Sequence, residues 1–186
     1  PRSLDKRSVR TYLREFLSDP RVVDLPAMLR IALLYGVILP FRPKKTLAAY
    51  RAVWRPDGSP LMVLSQQFSH KIAVALGSGY QVELSMRYGA LPISEALDRL
   101  SHCAELTIVP LFPQYASATT GSVLEKVYTH LAKKTHVMPI RVLPDLYVHP
   151  AFINAYGDLA QHTLRTVQYD HVLFSFHGLP VRHIIK

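Results

Sequence analysis

Apolar positions recur at helical spacing early in the chain: Val9, Leu13, Phe16 and Leu17 mark one face of a segment predicted to be helical over 8–18. The stretch 26–39 is almost continuously apolar and is bracketed by Pro26 and Pro40. It contains Arg30 and falls short of the ~20 apolar residues a membrane span needs. It reads either as a buried core helix or as an apolar lip that touches lipid or a greasy ligand. Helices over 44–54 and 60–76 follow, separated by the turn Pro56-Asp57-Gly58-Ser59-Pro60, with Ser59 as N-cap and Pro60 in the first turn. From residue 80 the rhythm changes. Short apolar runs over 82–86, 106–111, 138–143 and 171–176 read as strands, alternating with helices over 92–102, 117–133 and 150–166. The order β-α-β-α-β-α-β predicts an α/β fold, a parallel β-sheet flanked by helices in a Rossmann-type three-layer sandwich with right-handed crossovers. The chain accordingly divides into a helical region, 1–78, and a sheet region, 79–186.

Composition changes this picture in two respects. Apolar residues make up 49% of the 186 and charged residues 19%, which suits a globular chain with large buried faces. The net charge of +9 is uneven: residues 1–60 hold 12 basic and 5 acidic side chains, the remainder 10 and 8. A basic first third suits an anionic partner, whether nucleic acid, phospholipid headgroups or an acidic small molecule. The single cysteine, Cys103, excludes an intrachain disulfide framework, a cysteine-held zinc and an iron–sulfur cluster supplied by this chain alone. It also fits a reducing compartment, and the charged first fourteen residues are unlike a signal peptide, so a cytoplasmic location is expected.

In a parallel sheet the carboxyl ends of the strands share one edge, where ligands gather. The predicted tips carry Arg87-Tyr88-Gly89, then Phe112-Pro113-Gln114-Tyr115 running into Ser117–Ser122, then Pro144-Asp145-Leu146-Tyr147-Val148-His149, and finally Ser175-Phe176-His177-Gly178. Aromatic faces can stack on a planar ligand, and a guanidinium can hold a carboxylate by two parallel hydrogen bonds. An imidazole at such an edge titrates near neutrality or binds a metal. Residues 117–122 open a helix whose amides favour anions. Each group also has a plain structural use: His177 as a strand cap, Tyr88 and Tyr115 as packing residues, Thr119-Thr120 as helix caps, Arg87 as the partner of an acid. Asp145 is the one carboxylate expected on the edge, which disfavours a zinc site or a paired-carboxylate hydrolase. No Gly-x-Ser-x-Gly turn surrounds Ser175, and neither a P-loop nor Gly-x-Gly-x-x-Gly occurs.

As an ordered set the segments resemble the ferrochelatases, the chelatases that insert ferrous iron into a porphyrin. The resemblance rests on Phe16-Leu17-Ser18-Asp19-Pro20-Arg21-Val22-Val23-Asp24, Gly36-Val37-Ile38-Leu39-Pro40, Gly58-Ser59-Pro60-Leu61, Met86-Arg87-Tyr88-Gly89, Phe112-Pro113-Gln114-Tyr115 with Thr119-Thr120-Gly121, and Phe174-Ser175-Phe176-His177-Gly178-Leu179-Pro180. It implies the bacterial, protoporphyrin-using branch, with His177 as the iron-site and metal-insertion histidine, either metal ligand or proton acceptor. It implies a porphyrin pocket formed by Arg87, Tyr88 and Tyr115, with Lys44 and Tyr50, and a lip after Pro26 near a membrane surface. Fe²⁺ and protoporphyrin IX are then substrates, no cofactor is permanently bound, and no nucleic acid is involved. By the same resemblance the chain is an N-terminal half: it begins after the family's first strand and stops at Lys186, before a second α/β half that supplies a glutamate facing the histidine. Two other functions suit the same residues, a cobalt or nickel chelatase acting on another tetrapyrrole and a non-catalytic binding module.

Overall fold

The computed structural model describes residues 1–143 and 145–184. Four helices come first: α1 (Lys6–Ser18), α2 (Ala27–Leu33), α3 (Leu39–Val53) and α4 (Pro60–Leu76). Then follow α5 (Ile93–Arg99), β1 (Leu106–Ile108), α6 (Ser122–Leu131), β2 (Ile140–Val142) and α7 (Pro150–Leu164). The architecture is α/β, helix-rich, with β1 and β2 paired in parallel and Leu106 opposite Ile140.

Local chemistry accounts for the helix ends. Asp5 caps α1, its Oδ1 accepting from the Ser8 amide at 2.8 Å, and the helix stops at Asp19 before Pro20. Ser59 occupies the N-cap position of α4, but its side chain makes no cap hydrogen bond. The apolar stretch after Pro26 is α2, then one wide turn over Leu34–Ile38 in which the Leu39 amide reaches back to the Leu34 carbonyl, then α3. That register shift precedes two prolines, Pro40 and Pro43, which lie inside α3 rather than ahead of it as expected. Pro43 has no N–H for the Leu39 carbonyl four residues earlier. Arg10 Nη1 from α1 donates to that carbonyl instead, at 2.8 Å.

Two apolar clusters form. One joins Ile93 and Leu97 of α5, Leu106 of β1, Val127 and Leu131 of α6, and Met138. The other joins Val9 and Leu13 of α1 with Leu34, Leu39 and Leu47. Neither reading of the stretch 26–39 holds alone. Leu34 and Leu39 are buried in the second cluster, while Met28, Leu29, Ile31, Tyr35, Val37 and, just beyond, Phe41 are exposed.

The expected strands over 82–86 and 171–176 are not strands. Met86 folds back, its amide donating to the Leu91 carbonyl at 2.8 Å, and Glu83 is engaged by Arg99, so the run turns instead of entering the ladder. Residues 171–176 carry the right apolar residues, but a strand needs a neighbour to take its backbone hydrogen bonds. Here Leu173, Phe174 and Phe176 are 92%, 77% and 80% exposed, and the expected buried strand before His177 is an exposed segment. The ladder over 106–111 and 138–143 is likewise limited to three residues on each side.

Candidate functional site

The loop after α1, Asp19-Pro20-Arg21-Val22-Val23-Asp24, reaches two of the four predicted strand tips, at Arg87 and Ser117, and also Arg182, four residues past the fourth. Asp19 is 5% exposed, and its Oδ2 accepts from Arg87 Nη2 at 2.6 Å, Tyr88 Oη at 2.6 Å and Ser122 Oγ at 2.5 Å. Its Oδ1 accepts from the Arg21 amide at 2.8 Å. Arg87 Nε also donates to the Ser122 Oγ and carbonyl, at 2.7 and 3.0 Å, and its guanidinium lies 4.5 Å from the Tyr88 ring centre. This network sits where α1, from one apolar cluster, meets the start of α6, from the other. Burial pushes the Asp19 pKa up, but hydrogen bonds from Ser122, Tyr88 and the Arg21 amide, with the Arg87 charge, outweigh it and hold the carboxyl below its usual range. Burial and the hydrogen bond to Asp19 raise the Tyr88 phenol, which stays neutral.

Asp19 was absent from the expected edge, where Asp145 stood as the sole carboxylate. The signal that could have found it is the helix-ending Ser-Asp-Pro, which leaves an acid at the carboxyl end of an amphipathic helix. Arg87 thus has its carboxylate partner within the chain.

Arg21 makes the second link. Its guanidinium pairs with Glu125 of α6 and donates from Nη1 to Ser117 Oγ at 3.1 Å. A side chain on Gly121 would come within 3.2 Å of both Arg21 Nη1 and the Tyr115 hydroxyl, so the small residue allows these groups to approach α6. Tyr115 is half-buried there. The amides expected to favour anions are partly spent, since Thr119 and Gly121 both donate to the Ala116 carbonyl, and Thr119 Oγ1 bonds the same carbonyl at 3.2 Å. The third tip joins the second through Leu146 and Tyr147 amides donating to the Pro113 carbonyl at 2.9 and 3.1 Å. Pro144 of that tip, like Lys186, lies outside the described residues.

Asp24 makes the last link. It accepts from Arg182 Nε at 2.5 Å and lies 3.7 Å from His183 Nε2. His177 itself is exposed, and its Nδ1 meets the Gly178 carbonyl at 2.7 Å. A carbonyl only accepts, so Nδ1 carries a proton, and in the neutral form of the ring the lone pair then sits on Nε2. None of the described hydrogen bonds joins His177 to Arg87 or Tyr88.

Of the remaining expected pocket residues, Tyr50 connects to Tyr88 through a file of rings. Tyr88 meets Phe16 edge-on at 5.2 Å, Phe16 stacks on Tyr12 at 5.8 Å, and Tyr12 meets Tyr50 at 6.3 Å. Burial and the neighbouring Tyr50 push the Tyr12 pKa up to about 12. Lys44 is exposed on α3, the helix that carries Tyr50. A groove of about 400 Å³ beside Tyr12, Glu15 and Gly89 is lined by none of the expected site residues. Among the described residues no group of three or more His, Cys, Asp or Glu side chains is arranged to hold a metal ion.

Comparison with known proteins adds a lineage to this geometry. Residues 1–186 match the sequence model of the family described as Ferrochelatase. A ferrochelatase of Legionella pneumophila (strain Philadelphia 1) is 45% identical over 186 residues, all of this chain and 56% of that protein. A ferrochelatase of Coxiella burnetii (strain Dugway 5J108-111) is 41% identical over 181 residues, 96% of this chain and 50% of that protein. The chain spans about half the length of the curated relatives it matches. With a match from the first residue to the last, the chain belongs to the ferrochelatase family.

Proposed function

We propose that the protein to which this chain belongs inserts Fe²⁺ into protoporphyrin IX to form protohaem in haem biosynthesis, and that this chain is its N-terminal half, with a helical region over 1–78 and a sheet region over 79–186. The observation that carries the proposal is the whole-chain family match, joined to the contacts of residues 19–24 with the first two tips and with Arg182 downstream of His177. Metalation exchanges two pyrrole N–H protons for one ferrous ion, so it needs a proton acceptor near the macrocycle and an open face for the metal. His177 suits both roles: Nδ1 is turned to the Gly178 carbonyl, leaving the Nε2 lone pair to take a proton or to bind Fe²⁺ transiently.

The Tyr88 ring is held at the Asp19 network and the Tyr115 ring beside Gly121, and both offer flat faces to a porphyrin. Tyr50 extends that aromatic surface along α1, and Lys44 supplies an exposed cation for a propionate. Arg87, already paired with Asp19, orients Tyr88 from beneath and adds positive charge to the pocket. The exposed apolar residues after Pro26 form the lip, which contacts a membrane surface from the cytoplasmic side. Among the described residues no helix is long and apolar enough to cross a membrane.

His177→Ala in the full-length protein is expected to abolish iron insertion while porphyrin still binds, read by fluorescence quenching. Near-normal turnover in that variant would remove His177 from the mechanism. Comparing Fe²⁺, Co²⁺ and Ni²⁺ across several tetrapyrroles tests the substrate assignment, and a clear preference for cobalt or nickel would overturn it.

A further inference from the structure

From Arg165 to Ile184 every side chain but one is exposed, and the exception is His183, which is 7% exposed. The segment that presents His177 therefore has one buried point, six residues downstream of the imidazole. His183 lies in the short turn Val181–His183, closed by the His183 amide donating to the Pro180 carbonyl at 2.9 Å. Beside it, Arg182 Nε reaches Asp24 Oδ2 at 2.5 Å, and His183 Nε2 stands 3.7 Å from the same oxygen. His183 Nδ1 is buried with no hydrogen-bond partner among the described residues, so the ring is held by burial and by Asp24 alone. Asp24 belongs to the same loop as Asp19 and Arg21, which hold the first and second tips.

We propose that Asp24, Arg182 and His183 are positioning residues, a clamp that seats the His177 segment against the loop bearing the other tip contacts. The proposal rests on the reading of His177 as the reactive imidazole. Without the clamp, the ring keeps its bond to Gly178, but the segment that carries it is no longer tied to the loop that holds the first and second tips. Porphyrin binding, which the aromatic surfaces carry, is then little changed, and the metalation step slows.

The test uses the full-length protein with Asp24→Asn, Arg182→Gln, and the reversed pair Asp24→Arg with Arg182→Asp. Each single variant is expected to speed amide exchange over 176–184 about two- to fivefold, the reach of a solvent-exposed ion pair. kcat is expected to fall by a similar factor with KM for porphyrin unchanged, and the reversed pair to recover both. Unchanged exchange in the single variants overturns the clamp. So does faster exchange with unaltered kcat, in an enzyme that His177→Ala inactivates. Turnover surviving His177→Ala instead overturns the reading of His177, and the exchange measurement alone then decides whether the clamp exists.

Discussion

Three side-chain donors crowd one oxygen of Asp19, and that crowding makes a nearly buried carboxylate affordable. Replacing it with Asn leaves the Arg87 guanidinium half-buried without its counter-charge. The expected cost is roughly 2–4 kcal/mol at neutral pH, read as a lower denaturation midpoint. The sign of the pH effect follows from the lowered pKa. Such a carboxylate adds stability above its unfolded value, near 4, and loses it as pH falls through the lower folded value. Acidification below about pH 4 should therefore destabilise the parent protein more than Asp19→Asn, as unfolding midpoints measured across that range would show. Arg87 and Tyr88 of this network were legible because they lie side by side in a local motif. Asp19 was not, because its partners Arg87, Tyr88 and Ser122 are 68, 69 and 103 residues away and no local periodicity couples them.

Among the elements, the apolar stretch after Pro26 shows how helix and proline are reconciled. The Arg10 bond to the Leu39 carbonyl replaces the donor that Pro43 lacks, and the wide turn over Leu34–Ile38 brings the Leu39 amide onto the Leu34 carbonyl just ahead of Pro40. Arg10→Met keeps the aliphatic stem but strands that carbonyl, and is expected to cost about 1–2 kcal/mol in unfolding experiments. The helix over 8–18 was readable because amphipathic spacing is a local property, and that over 60–76 because Pro60 marks a first turn, although Ser59 makes no cap hydrogen bond. The strands were less so. Apolar runs at 82–86 and 171–176 satisfy every local criterion for β-structure, but a ladder is a contract between distant segments, and hydrophobicity alone does not reveal whether a partner arrives.

Taken whole, the described chain exposes Met28, Leu29, Tyr35 and Phe41 in the same stretch of sequence that carries Arg30, Arg42, Lys44 and Lys45. Apolar tips among cations suit the surface of an anionic bilayer. Cosedimentation with anionic lipid vesicles should weaken about tenfold or more when Met28 and Phe41 are both changed to Ser, given the apolar area each would otherwise bury. The charge asymmetry was visible in the sequence, since the first 60 residues hold most of the excess positive charge. Which apolar side chains remain uncovered was not, because that depends on α1 taking Leu34 and Leu39 and leaving the rest.

The bond from Asp24 to Arg182 joins residues 158 positions apart. On a ribosome, the acid emerges early and waits for a guanidinium made near the end of this stretch, so the histidine-bearing arm is among the last parts to settle. Long-range closures of this kind are slow and entropically costly. Even once that bond is made, Phe174 and Phe176 stay uncovered, and exposed rings of this kind favour association between copies of the chain.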